Sequence, residues 1–490
     1  MGVIHDLLTA AITAHMAGDA ARAGRLYRHA LTLEPATASA LHLLGTLEAQ
    51  SGRSGVAATW LRRALAVEPS APAVWAHLGG VRLTAGDAVG ARAALIRALA
   101  LAPDQPDALV NLGLSCHRGH DLEAATRWLW RAHRLRPNHR DSLLDLGLVL
   151  RDRGMFAGAQ TCFTALTSRD DGHRDAHMAQ ALSRLVQGDL AAGWEGFERR
   201  WKRLPAPPWR ASDPLPAGGT LLLHAEQGFG DTIQCVRYVP GAVALAARQG
   251  ARVVLEVHPA LIRLLRTLPV PPGAPLTIVA RGDTPPAHDA HCPLMSLPRA
   301  FATDRVEDIP APIPYLSADP AGAAAWAARL EDGSGRLRVG LVWAGNPGHR
   351  NDRNRSVPLD ALDPLLAVDG ARLISLQTGA ARHALPPRWA VRLEDPMDGV
   401  TDFADTAALM AGLDLLVTVD TATVHLAGAL GRPAWLLLPY APDWRWFLQR
   451  TDSPWYPTLR LFRQDRPGGW SRVGQGVARR LRRLLERPPR

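Results

Sequence analysis

The chain has 490 residues, 47% hydrophobic and 21% charged; it can fill more than one core, so two or three domains are expected and extensive disorder is excluded. The net charge is +10, yet the basic residues are spread along the chain and interleaved with acids, which argues against a nucleic-acid partner and leaves anionic small molecules. No run approaches the roughly eighteen apolar residues of a membrane-spanning helix, so no stable membrane insertion is expected.

At the start of the chain, MGVIHDLLTAAITAH carries His5 and Asp6 where a signal peptide needs a basic and then an apolar region, which predicts a cytoplasmic protein. Asp6 also stands where an N-myristoylation signal needs Ser or Thr. Cys116, Cys162, Cys235 and Cys292 have no paired spacing, which argues against a zinc site or a disulfide framework.

The first predicted element is a repeat. Ala23, Ala57, Ala91, Ala125 and Ala159 are 34 residues apart, as are Pro35, Pro69, Pro103 and Pro137. This is the period of the tetratricopeptide repeat (TPR), a two-helix unit that stacks on its neighbours. Leu44-Gly45, Leu78-Gly79, Leu112-Gly113 and Leu146-Gly147 mark the first helices, with Trp75 ahead of one of them. Tyr27, Leu61, Leu95, Leu129 and Phe163 follow the alanines by four. Small residues let two helices approach, large ones fill the gap, and Pro ends the second helix. The fifth repeat has Asp171 in place of Pro, and GDLAAGWEGFERRWKR at 188–203 reads as the second helix of an incomplete sixth unit, as expected where a stack is capped. The TPR solenoid is therefore assigned to residues 1–203.

A Pro-rich joint, LPAPPWRASDPLPAGG at 204–219, ends the repeat. TLLLHA (220–225) reads as a buried strand, followed by the turn EQGFGD and the helical TIQCVRYVPGAVALAARQG; RVVLEV (252–257) is the next strand, with a helix over 259–268. After PAGAAAWAARLEDGSGR the pattern restarts. LRVGLVW (337–343), ARLISLQ (371–377), LDLLVTV (413–419) and PAWLLLP (433–439) read as strands separated by loops and helices. Such βα units build parallel sheets, with ligands at the carboxyl ends of the strands. Two successive series predict two lobes, 204–319 and 320–490.

The runs EQGFGDTIQCVRY, GNPGHRNDRNRSVPL, DTATVHLAGALGRPAWLLLP and DWRWFLQRTDSPWYPTLRLFRQ resemble bacterial TPR-linked glycosyltransferases, and through them the heptosyltransferase (glycosyltransferase family 9) and O-GlcNAc transferase families. The resemblance covers essentially the whole chain. It implies a TPR solenoid followed by a GT-B domain of two Rossmann-like lobes, and an inverting transfer from a nucleotide sugar that uses no metal or other cofactor.

Asp231 closes the Gly-x-Gly-Asp turn between the first strand and helix of the first lobe. Inverting transfer needs a base for the acceptor's proton, and the resemblance assigns that role to the Asp of the matching Gly-Asp motif; the alternative is a helix cap, a position Asp also favours. Glu226 is the second candidate. Gly228 and Gly230 permit close backbone approach. Arg353 and Arg355 lie where a leaving phosphate would develop charge. Arg355 is the counterpart of a heptosyltransferase Lys, a change that alters geometry; the alternative is a solvated loop, since Arg350 is also there. Asp420, Thr421, Thr423 and His425 match the family's Asp-Thr-x-x-x-His at the start of a helix, where free N–H groups bind anions; His425 could instead be structural, oriented by Asp420. Asn346 and Gln377, at strand ends, are further candidates for nucleotide contact.

His288, His291 and Cys292 lack a second ligand group and read as a structural loop. Trp435, Trp444, Trp446, Trp455 and Trp470 read as packing. The final helix places Val473, Val477, Leu481 and Leu484 on one face with arginines around it, and so is expected to pack back on the second half.

The partners implied are a nucleotide sugar and a protein acceptor held by the repeats, with a flagellin-like protein known to be the acceptor of similarly built chains. A scaffold with a decayed transferase domain and a transferase of lipid or polysaccharide assembly are the alternatives. The simultaneous presence of Asp231, Arg355 and the 420–425 turn favours an active enzyme.

Overall fold

The structure, a computed structural model, describes residues 2–201, 208–284, 286–349 and 351–486. Residues 204–207 of the Pro-rich joint and Arg350 lie outside these. The chain divides into two compact units, Met1–Ala176 and His177–Arg490.

The first unit is a run of helix pairs. First helices begin at Ala38, Pro72, Pro106 and Arg140, and second helices at Ala20, Ser54, Ala88, Leu122 and Phe156, reproducing the 34-residue period. Ala23, Ala57, Ala91, Ala125 and Ala159 are fully buried. The Leu-Gly signature has a steric cause. A Cβ on Gly45 would stand 2.8 Å from Leu61, on Gly79 2.5 Å from Leu95, on Gly113 2.7 Å from Leu129, and on Gly147 2.5 Å from Phe163. Each large residue four positions after a period alanine thus packs onto the hydrogen of the preceding helix's glycine. Asp19, Asp87 and Asp121 cap second helices by accepting the N–H of Arg22, Gly90 and Ala124.

The period continues through helices Arg174–Gln187 and Leu190–Phe197, giving twelve helices before the first strand among the described residues. Helix Leu190–Phe197 packs against the α/β part of the chain. Trp194 is buried, its indole N–H donates to the Thr303 carbonyl at 3.1 Å, and its ring meets Trp444 edge-on.

The second unit holds two parallel sheets. The first consists of β1 (Thr220–His224), β2 (Arg252–Val257), β3 (Leu276–Ala280) and β4 (Ala290–Pro293) in the order β3-β2-β1-β4. The second consists of β5 (Leu337–Val342), β6 (Ala371–Ser375), β7 (Leu393–Glu394), β8 (Leu415–Val419), β9 (Ala434–Leu438) and β10 (Leu459–Arg463) in the order β10-β9-β8-β5-β6-β7. The second order is the doubly wound Rossmann one, reversing direction between β5 and β8; the first sheet reverses between β1 and β4. Ligand crevices open at such reversals, beyond the carboxyl ends of the strands.

Two local readings change. The segment containing His291 and Cys292 is not a loop but β4, whose side chains are buried against β1; its flanking His and Pro residues hide a four-residue strand. The helix expected over 259–268 is a single 3-10 turn, Pro259–Leu261, and one α turn, Ile262–Leu265. Strands β3, β7 and β10 have no counterpart in the sequence reading, being short or flanked by turn residues.

The final helix, Trp470–Leu485, buries Val473, Val477 and Leu481 in the second sheet's core while Leu484 stays exposed. Gly474 allows the contact: a Cβ there would overlap the Ala361 carbonyl.

Candidate functional site

The two reversal points meet in the second unit. After β1 the chain turns into helix Phe229–Cys235, and Asp231 in its first turn accepts the Gly228 N–H at 2.8 Å through Oδ2, so the carboxylate does cap its helix. Its other oxygen, Oδ1, accepts from Nη2 of Arg445. Arg445 comes from the other lobe, in the 3-10 turn Trp444–Trp446 beyond β9.

Arg445 is 7% exposed. Its Nη1 donates to Asp443 Oδ1 at 2.8 Å, its Nε donates to Gln234, and its guanidinium carbon lies 4.3 Å from the Trp444 ring centre. Asp443 also accepts the Arg445 backbone N–H at 3.1 Å. Just after the turn Phe447 has φ +54°, a left-handed conformation that costs a non-glycine residue roughly 1–2 kcal/mol. The burial of Trp446 and Phe447 holds it there.

Glu226, the second candidate base, is occupied. Arg200 grips it with both fork nitrogens at 2.8 and 2.6 Å and also reaches Glu198 and Ser296. The Arg200 and Glu226 side chains are 7% and 6% exposed, whereas the Asp231 side chain is 22% exposed, so Asp231 and not Glu226 is open to an acceptor.

On the second sheet β8 delivers Asp420 and Thr421 to the start of helix Ala422–Ala429. Thr421 occupies the N-cap without a side-chain bond to the helix, so its hydroxyl does not satisfy the helix's first N–H groups. Thr423 is half-buried in the first turn. Burial, and next the Asp443 charge, push the Asp420 carboxyl up from the usual range against the pull of Arg445 and Arg355. Arg355 links the loop after β5 to this turn: Nη1 donates to the Asp420 carbonyl at 3.0 Å while Nε donates to Asp352 at 3.2 Å. Arg353, by contrast, is exposed.

His425 is 4% exposed. It is oriented by Tyr456, whose hydroxyl is 2.9 Å from Nδ1, and by stacking on Trp446 at 5.5 Å. Burial, with the charges of Arg445 and Arg237, keeps the ring neutral, far below its ordinary titration range. Arg237 braces the same cluster. It donates to the Trp455 carbonyl at 2.9 Å and the Tyr315 hydroxyl at 3.2 Å, over the rings of Tyr315, Trp455 and Tyr456.

Gln377 is fully used: Oε1 accepts from Trp343 and Ala344 N–H, and Nε2 donates to the Ala344 and Thr378 carbonyls. It ties the ends of β5 and β6 together. Asn346 is exposed and caps its own loop by accepting the Gly348 N–H at 2.9 Å. The structure thus brings Asp231, Gly228, Gly230, Arg355, Asp420, Thr421, Thr423 and His425 to one region, with Asn346 and Arg353 at its solvent edge and Gln377 beneath. Arg445, Asp443, Tyr456 and the Arg200–Glu226 pair escaped the sequence reading. The one available signal for Arg445 was its place in Asp-Trp-Arg-Trp, an arginine among residues bound for a core. Among the described residues no three His, Cys, Asp or Glu side chains form a metal-binding group, and no helix is long and apolar enough to cross a membrane.

Known proteins resemble both parts of the chain. The tetratricopeptide repeat family model matches residues 43–106, 78–139 and 144–206. The glycosyltransferase family 9 (heptosyltransferase) model matches residues 396–439, the stretch that holds β8, the Asp420 turn and β9. Protein FlbA of Caulobacter vibrioides is 29% identical over 330 residues, which are 62% of this chain and 54% of that protein; the match spans about half the relative's length. Among solved structures, PilF of Pseudomonas aeruginosa is 18% identical, covering 39% of this chain and 88% of that one with a TM-score of 0.36. A thermophilic TPR protein of Thermus thermophilus, TTC0263, is 16% identical, covering 37% and 99% with a TM-score of 0.34. The chain joins a solenoid of tetratricopeptide repeats to a parallel-sheet α/β region of which residues 396–439 match the glycosyltransferase family 9 model.

Proposed function

We propose that this chain is an inverting glycosyltransferase that moves a sugar from a nucleotide sugar to an acceptor, in a GT-B arrangement of its two lobes, and that the repeats recruit a protein acceptor. The observation that carries the reading is the meeting of two strand-end sites: Asp231 at the β1 end of one sheet and the Asp420 helix start at the β8 end of the other, in contact through Gly230 and His425, with Arg445 of the second lobe bonded to Asp231. A nucleotide bound across the β5/β8 reversal would lay its phosphates on the start of helix Ala422–Ala429 and beside Arg355, whose positive ends take the charge released on the leaving phosphate. Charge neutralisation by these groups supports a metal-independent transfer.

The acceptor's hydroxyl oxygen attacks the anomeric carbon from the opposite face. Its proton passes to Asp231, and the bond from the anomeric carbon to the phosphate oxygen breaks with its electron pair leaving on the nucleotide. One bond forms at the sugar on the face opposite the one that breaks, so the configuration inverts. Asp231 has both oxygens in hydrogen bonds, yet each carboxylate oxygen holds a second acceptor site, which is the one a hydroxyl would use.

Melting of the full chain with ADP, UDP, GDP and CMP and with ADP-heptose, UDP-GlcNAc and a CMP-nonulosonate tests the reading. The matching nucleotide at one hundred times its dissociation constant stabilises by about 2.7 kcal/mol, and sugar then appears on a co-expressed protein acceptor. No shift with any nucleotide supports the non-catalytic scaffold; a shift and turnover without sugar on protein support a lipid or polysaccharide acceptor.

A further inference from the structure

We propose that Arg445 is a positioning residue for Asp231, a guanidinium from the second lobe that fixes the carboxylate of the first in the orientation from which it collects the acceptor's proton. The proposal rests on the reading of Asp231 as the base. Asp231 is pinned from two sides: Oδ2 by the Gly228 N–H of its own turn and Oδ1 by Arg445 Nη2. With both bonds made, the carboxylate plane cannot turn, and the remaining lone pairs have fixed directions. A base must be placed to within a fraction of an ångström of its proton, and one bond to a helix N-terminus leaves rotation about the Cβ–Cγ axis open.

Arg445 is itself held on every donor that reaches a partner. Nη1 goes to Asp443, Nε to Gln234, and the flat face to Trp444. Gln234 is 1% exposed and gives its oxygen to Arg445 while its Nε2 has no partner among the described residues. Three acceptors on three nitrogens of one plane is a task for a fork and not for an ammonium. The contact crosses from the second lobe to the first, so the carboxylate of one lobe is oriented by a group of the other.

The test uses the full chain and the nucleotide sugar that gives the largest melting shift, with Arg445→Gln, Arg445→Lys, Asp231→Asn and the Asp231→Asn/Arg445→Gln double variant. The expected result is a kcat lowered about tenfold or more in Arg445→Gln, with donor KM within about twofold, and an intermediate kcat in Arg445→Lys. In the double variant the rate equals that of Asp231→Asn alone, because Arg445 acts through the missing carboxylate. An unchanged kcat, or the same fractional loss in both backgrounds, overturns the proposal. Should Arg445→Gln not fold, Arg445→Lys is compared in the two backgrounds with the same criteria. Full activity in Asp231→Asn defeats the base reading instead. Should the unmodified chain turn over no nucleotide sugar, crystal structures of the parent and Arg445→Lys decide: an Asp231 carboxylate that keeps its orientation overturns the positioning role.

Discussion

Gly230 and His425 touch across the two lobes: a Cβ on Gly230 would stand 2.7 Å from His425 Cδ2 and 3.4 Å from the Ala422 Cα. Helix Phe229–Cys235 therefore meets helix Ala422–Ala429 with only a hydrogen between them, and the imidazole ring cannot retreat because Tyr456 and Trp446 hold it. Gly230→Ala is expected to cost about 1–3 kcal/mol, the usual range for overpacking a tight contact, and, on the proposed reading, to weaken nucleotide binding by displacing the helix start of Ala422–Ala429. Adding His425→Ala to Gly230→Ala should recover part of the melting temperature, which denaturation of the four variants of the cycle measures. Additive losses would place the strain elsewhere.

Asp231→Asn is expected to keep the fold and the nucleotide affinity and to lose about a hundredfold to ten-thousandfold in turnover, the range for removal of a general base. Asn is nearly isosteric and its oxygen can still accept the Gly228 N–H, so a pure cap would survive the change, while its amide NH2 would face the Arg445 Nη2 donor and lower the melting temperature modestly. Single-turnover transfer and a nucleotide melting shift on the same preparation separate the two roles.

Arg355→Ala removes the donor to the Asp420 carbonyl and the pairing with Asp352. Nucleotide affinity should fall about tenfold or more, in line with loss of a charge-assisted contact in a half-buried site. Calorimetric titration with the nucleotide measures it, and an unchanged Kd would assign Arg355 to loop structure alone.

The loop between the helices of a repeat uses a left-handed residue at the same register: Gly18, Gly52, Gly86 and Gly154 have φ between +77° and +85°, while the fourth repeat has His120 at φ +64°. A side chain in that region costs roughly 1–2 kcal/mol, offset in part by glycine's larger loss of freedom on folding. His120→Gly should raise the stability of the first unit by about 0.5–1 kcal/mol, visible as a higher denaturation midpoint.

Acid should loosen the repeats. His42 Nε2 lies 2.6 Å from His77 Nδ1, a bond that needs a lone pair on one ring. Burial, then the charge of His77, lowers His42 from 6.5 to about 4, and burial lowers His77 as well. A histidine depressed in the folded state gives stability that is whole above pH 6.5 and is lost as pH falls towards about 4, because the unfolded chain takes up the proton first. His224 in the second unit, lowered to about 4 by burial and by His291, acts with the same sign. Melting curves of the parent and of His42→Gln between these limits isolate the first unit's share: the variant should lose less stability on acidification.

The repeat was legible because its determinants are local and recur. Gly45, Gly79, Gly113 and Gly147 each face a large residue sixteen positions later, so one steric demand is written four times. The strands β1, β2, β5, β6, β8 and β9 were legible as apolar runs, since a parallel strand is covered on both faces. Strand β4 was not, because Ala-His-Cys-Pro carries no such run and its burial comes from β1 alongside.

For the site, the sequence by itself determined which residues stand at strand ends: Asp231 after β1, and Asp420, Thr421 and His425 after β8 follow from the alternation of apolar run, turn and helix. Only the tertiary structure decided what these residues do to one another. Arg445 lies 214 residues from Asp231 along the chain, Tyr456 orients His425 in place of Asp420, and Glu226 is consumed by Arg200. The physical reason is that a hydrophobic period is a property of neighbours in sequence, whereas the pairing of buried charges depends on which groups two sheets bring together when they exclude water.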